Sequence, residues 1–66
     1  MRVKLNGQPI ELADGLTLEA LLADYRLKKE QVVVEHNYEV PDKAAYGATR
    51  VKDGDVIEIV KFMGGG

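Results

Sequence analysis

One stretch governs how this chain can fold. In residues 17–25, TLEALLADY, the apolar Leu18, Leu21, Leu22 and Tyr25 recur at i, i+3, i+4 and i+7, a single stripe along an α-helix. Thr17 is placed to cap the first turn, its hydroxyl accepting a backbone N–H, and Glu19 suits the positive end of the helix dipole. The helix is expected to end within residues 26–29, where Lys28 and Lys29 favour its negative pole and form a solvated face. Sixty-six residues make one small domain with a single thin core. The leucine stripe must therefore be that core, covered by whatever the rest of the chain builds.

The rest alternates. In RVKLNGQPIEL, Val3 and Leu5 alternate with Arg2 and Lys4, Asn6 and Gly7 supply a positive-φ turn, and Ile10 and Leu12 flank Glu11, the pattern of a hairpin. Pro9 lacks a ladder donor and belongs at a strand start or an unpaired edge. QVVVEHN reads as a third strand, its unbroken valines pointing to an interior place in the sheet. Pro41 and Asp42 break it, and residues 43–46 are expected to form one short helical turn. A brief extended piece follows in ATRVKDGD, closed by the Asp53-Gly54 turn pair. VIEIVKFM is the last long strand. The expected class is α+β, one main helix packed across a mixed sheet.

Composition excludes several functions. Eleven acidic against nine basic residues give a net charge of −2, with both signs scattered, so no concentrated basic face is available for nucleic acid. No stretch nears the roughly 20 apolar residues of a membrane span, and no signal-peptide run opens the chain, so no membrane association and a cytoplasmic location are expected. There is no Cys and no Ser, and one His. A nucleophile–base pair cannot be assembled, Thr17 and Thr49 have no evident base beside them, and no catalytic residue is assigned. His36 has no second ligand of the kind a metal needs and is read as a surface or hydrogen-bonded structural residue, so no metal site is assigned.

The last strand and its end are more informative. By alternation Ile57 and Ile59 share one face, while Glu58, Val60 and Phe62 share the other. If the isoleucines meet the helix, Val60 and Phe62 form an exposed apolar patch before Met63 and the final GGG; the alternative is that the strand end folds over and buries Phe62. Three glycines neither pack nor hold a shape, so residues 64–66 are expected to be a flexible tail on a domain of residues 1–63. Such a run is either a remnant or a working end. A terminal carboxylate is ionised and unreactive at neutral pH, but transfer of AMP from ATP activates it, and residues without Cβ atoms pass a narrow channel to reach the nucleotide.

The element order and size resemble the β-grasp fold of ubiquitin-like proteins. More specifically, NGQPIELADGLTLEALL, VVVEHNYEVP, VKDGDVIEIV and the closing GGG are similar, over essentially the whole chain, to the sulfur-carrier proteins of thiamine biosynthesis, the ThiS family. The resemblance implies a carrier rather than an enzyme. Gly66 would be adenylated at its carboxylate by a ThiF-like, E1-like enzyme, then converted to a thiocarboxylate with sulfur from a donor such as a cysteine desulfurase, and delivered to thiazole synthase, ThiG. Gly65 and Gly66 match the family's terminal pair and Gly64 extends it. The docking face would be Glu58, Val60, Phe62 and Met63. No cofactor would be bound by this chain, ATP and magnesium being used by the adenylating partner. The small subunit of molybdopterin synthase and ubiquitin-like protein modifiers share the fold and tail, although the former tends to carry prolines where this chain has VKFM.

Overall fold

The computed structural model describes residues 1–62; residues 63–66, which hold Met63 and the glycine tail, lie outside the described residues, as does the expected domain boundary. Strand β1 (Arg2–Leu5) turns back into β2 (Gln8–Glu11) as an antiparallel hairpin. Asn6 (φ 49°) and Gly7 (φ 81°) both adopt left-handed backbone, the geometry that matches a two-residue turn to the twist of the flanking strands. Val3 and Leu5 point inward while Arg2 and Lys4 face out. Pro9 pairs with Lys4 on β2, which is an edge strand, so its missing donor faces no neighbour.

Helix α1 runs Leu18–Asp24, capped by the Thr17 hydroxyl, which accepts the Ala20 N–H at 3.1 Å. It stops short of the expected residues 26–29. Arg26 turns left-handed (φ 58°), and its N–H donates to the Ala23 carbonyl while that of Leu27 reaches back to Leu22, both at 2.9 Å. This paired closure satisfies the last carbonyls and ends the helix, here without the usual glycine. Tyr25 thereby falls at the cap, 48% exposed, and does not extend the core stripe as its spacing predicts. Lys28 and Lys29 lie beyond the helix, Lys29 opening a 3₁₀ turn (Lys29–Gln31) that leads into β3 (Val32–His36).

The sheet order is β2-β1-β4-β3, where β4 (Val56–Lys61) runs parallel to β1 and antiparallel to β3. Strand β3 is therefore an edge, contrary to the interior place expected from its valines. The run arises because both faces are apolar: Val32 and Val34 are buried, while Val33 lies on the opposite face across from Val60. The true interior strands are β1 and β4.

Between β3 and β4 the chain reverses through Asn37 and Tyr38, both left-handed, and forms a 3₁₀ turn at Lys43–Ala45. It then buries Tyr46, the largest fully buried side chain, together with Val51. Gly54 (φ 87°) makes the last turn, its N–H donating to the Arg2 carbonyl at 2.8 Å. Leu18, Leu21 and Leu22 meet Val3, Leu5, Val32, Val34 and Ile57 in one core between helix and sheet. Each such leucine contributes about 1.5–3 kcal/mol by leaving water. Among the described residues no helix is long and apolar enough to cross a membrane.

Candidate functional site

Strand β4 is held on both sides, by β1 and by β3, and its alternation is as the sequence predicts. Ile57 is fully buried and Ile59 packs partly against the core, while Glu58, Val60 and Phe62 lie on the outer face. Val60 is 57% exposed and Phe62 49% exposed, so the strand end does not fold over its aromatic ring. Just beyond β4, the Phe62 N–H donates to the Gln31 carbonyl at 2.9 Å. Met63, Gly64, Gly65 and Gly66 lie outside the described residues.

The register adds residues that periodicity in one strand does not reveal. Val33 sits directly across from Val60, and Glu35 directly across from Glu58, both pairs on the outer face. The face is thus apolar toward Phe62 and acidic one pair further back. Two carboxylates facing each other across a sheet repel, and among the described residues neither makes an ion pair. Lys43 is a further addition: its ammonium stands 5.3 Å from the centroid of the Phe62 ring. No spacing rule links positions 43 and 62; only the folded path of the chain joins them.

At the opposite end of β4, about 20 Å away at a rise of roughly 3.3 Å per residue, a polar network ties the strand down. The Asp55 carboxylate, almost fully buried, accepts the Asn37 amide at 3.0 Å and the Lys52 backbone N–H at 2.8 Å. His36 Nε2 lies 2.6 Å from Oδ2, the oxygen that also accepts the Lys52 N–H, and facing a carboxylate it carries the proton. The Asn37 carbonyl oxygen in turn accepts the Val56 N–H at 2.9 Å. Burial opposes the Asp55 charge, but the hydrogen bonds from Asn37, His36 and Lys52, with the attraction of His36, outweigh it and hold the carboxyl below its ordinary 3.8. His36 is therefore hydrogen-bonded structure, as the sequence predicts.

Neither threonine is paired with a base. Thr49 donates to the Ala45 carbonyl at 2.8 Å, and Thr17 caps α1. An open cleft beside the network is lined by His36, Thr49, Arg50, Lys52 and Asp55, but Arg50 donates to the Gly15 carbonyl and Asp55 already accepts three hydrogen bonds from within the fold. Among the described residues no group of three His, Cys, Asp or Glu side chains could hold a metal. What the described surface offers instead is the partly apolar outer face of β4 around Val60 and Phe62.

The family model for the ThiS family matches residues 3–66. The sulfur carrier protein ThiS of Bacillus subtilis is 43% identical over 65 residues, a match spanning 97% of this chain and 98% of that one. The chain belongs to the ThiS family. The crystal structure of a thiamine biosynthesis protein (ThiS) from Geobacter metallireducens superimposes with a TM-score of 0.84 at 42% identity, covering the whole of both chains. The ubiquitin-like β-grasp fold is thereby established for this chain. A thiazole synthase of Paramagnetospirillum magneticum is 39% identical over all 66 residues, which amount to 20% of its length. This ThiS-family chain thus spans about a fifth of the thiazole synthases it matches.

Proposed function

We propose that the chain is a sulfur carrier of thiamine biosynthesis that works through the carboxylate of Gly66. An E1-like, ThiF-like enzyme binds the outer face of β4 and threads residues 64–66 to its ATP site. There the carboxylate attacks the α-phosphorus of magnesium-bound ATP, pyrophosphate leaves, and an acyl adenylate forms. A persulfide held by a donor such as a cysteine desulfurase then displaces AMP to give an acyl disulfide. A thiol attacks the donor-side sulfur, leaving a disulfide on the donor and releasing the thiocarboxylate, which is passed to thiazole synthase. The carrier itself supplies no catalytic group; it supplies a handle and a reach. Four residues beyond Phe62 span at most about 14 Å when extended.

The observation that carries this reading is the exposure of Val60 and Phe62 at the end of β4, which in sequence directly precede Met63 and the glycines. Tyr38 and Val40 are also exposed, in the loop after β3, but Val60 and Phe62 share one sheet face with Val33 and so make an apolar stretch that a partner covers. The full-length likeness to the Bacillus carrier supports the same role. A carrier-like stretch within thiazole synthases supports the synthase as the recipient.

The test is intact mass spectrometry of the chain after incubation with the adenylating enzyme, ATP, magnesium and a sulfur donor. Replacement of one oxygen by sulfur at Gly66, abolished when Gly66 is deleted, is the expected result. A wild-type chain that keeps its mass beside active enzymes refutes the reading. The reading also requires that Gly66 carry a free carboxylate in the working protein, which the same spectrum reports. Formation of thiazole with the synthase then assigns the product.

A further inference from the structure

Lys43 opens the 3₁₀ turn Lys43–Ala45, which is closed by its own hydrogen bonds and tied to the fold at its C-terminal end. The Ala45 N–H donates to the Asp42 carbonyl at 2.9 Å and that of Tyr46 to the Lys43 carbonyl at 3.2 Å. Tyr46 is buried, and its own carbonyl accepts the Glu19 N–H at 3.2 Å, which fastens the turn to the start of α1. The Lys43 side chain leaves this fixed base partly buried and brings its ammonium to 5.3 Å from the Phe62 ring centroid. A cation within about 6 Å of an aromatic centroid is attracted to the ring face. Phe62 is thus held twice, by its backbone on Gln31 and by its ring against Lys43, yet about half of it remains open to solvent.

A side chain that must be immobilised when a partner binds weakens that binding by the rotamer freedom it loses; one already oriented does so less. We propose that Lys43 is a positioning residue for docking of the carrier. It holds the Phe62 ring in one orientation where the chain leaves the sheet, so that the open side of the ring enters an apolar pocket beside the channel that receives the tail. The inference rests on the carrier reading and names the residue that presents its docking face. The partner it fits is a protein surface with an apolar slot at the mouth of a nucleotide-bearing channel.

The experiment compares the full chain with its Lys43→Met and Lys43→Arg variants as substrates in ATP–pyrophosphate exchange by the adenylating enzyme. Lys43→Met keeps the length and loses the charge, and its KM for the carrier is expected to rise about two- to five-fold. The maximal rate should not change, because the tail and its carboxylate are untouched. Lys43→Arg, which keeps the cation, should return KM to the wild-type value. The proton resonances of the Phe62 ring should shift in the Met variant and stay in place in the Arg variant, a readout independent of any enzyme. A Lys43→Met chain with wild-type KM and ring shifts, or a Lys43→Arg chain no better than Met, overturns the proposal and leaves the carrier reading intact. No exchange with the wild-type chain overturns both.

Discussion

Replacing Asp55 by Asn tests the strongest polar claim made by the fold. The carboxylate takes three hydrogen bonds, from His36 at 2.6 Å, Asn37 at 3.0 Å and the Lys52 backbone at 2.8 Å, in a side chain only 10% exposed. An amide in its place has one accepting oxygen, and its NH2 is turned against a group that also donates. At least one donor is left facing another in a nearly dry site, and the charge that strengthened the remaining bonds is gone. At about 1–3 kcal/mol for such an unmet group and similar for a charged hydrogen bond, the loss is about 2–3 kcal/mol at pH 7. For a domain of this size whose whole stability is about 3–10 kcal/mol, that lowers Tm by roughly 15–20 °C. The pH dependence has a fixed sign. Because the folded carboxyl is held below the ordinary 3.8, its contribution is complete above that value. As pH falls further the unfolded chain takes up the proton first, stability drops, and the contribution is gone once the folded carboxyl is protonated too. Urea unfolding of both proteins at neutral pH and well below the carboxylate range measures the difference, in which the other carboxylates cancel. A deficit under about 0.5 kcal/mol at pH 7, or one that does not shrink on acidification, refutes the reasoning.

Tyr38 is left-handed (φ 70°) and 81% exposed, so Tyr38→Gly relieves backbone strain and removes almost no packing. A gain of about 0.5–1 kcal/mol in unfolding free energy is expected, and any loss would show that the side chain has contacts that its exposure hides. Glu35→Lys places a cation directly across from Glu58 and should stabilise by about 0.2–1 kcal/mol at low salt, a gain that fades as salt is added. No gain at low ionic strength contradicts the register. Phe62→Asp should alter unfolding free energy by less than about 1 kcal/mol while strongly weakening association with the adenylating enzyme. A large fall in stability would place Phe62 in the core and defeat the docking face.

The parts of this fold legible in the sequence are those set by local periodicity. Leu18, Leu21 and Leu22 announced both a helix and its buried face, Asn6-Gly7 announced the hairpin, and alternation from Ile57 to Phe62 divided β4 into a core side and an exposed side. Two local readings failed where a second interaction overrode the pattern. Tyr25 continues the helical spacing, but the left-handed turn at Arg26 ends the helix first. The valines of β3 resemble a central strand because Val33 meets Val60 on the outer face, which gives an edge strand two apolar sides. The rest was hidden by distance along the chain. Nothing near Asp55 in sequence signals His36 and Asn37 as its partners, and nothing near Phe62 signals Lys43. Such contacts exist only once the loop between β3 and β4 has taken its path, and no period encodes that path.

The placement of strain and satisfaction along β4 bears on how a carrier can work. At its start, the Asp55, His36 and Asn37 network satisfies its polar groups so completely that, among the described residues, no buried side-chain nitrogen or oxygen lacks a partner. At its end, the chain leaves Val60 and Phe62 in water and sets Glu35 against Glu58, arrangements that lower stability where a sheet surface could have been polar and charge-paired. A strand frayed at both ends would present its terminal aromatic over many positions, and binding would have to select one of them. A strand anchored at its start by β1, paired along its length with β3, and held at Phe62 by Gln31 and Lys43 offers that aromatic in few places. On the proposed carrier role the Gly66 carboxylate then requires only reach, which glycines supply with the least steric demand on a channel. The network far from the tail is on this view part of the docking machinery. Loosening it by Asp55→Asn should weaken partner association beyond what the unfolded fraction explains, and a folded variant that docks like wild type would confine the network to stability alone.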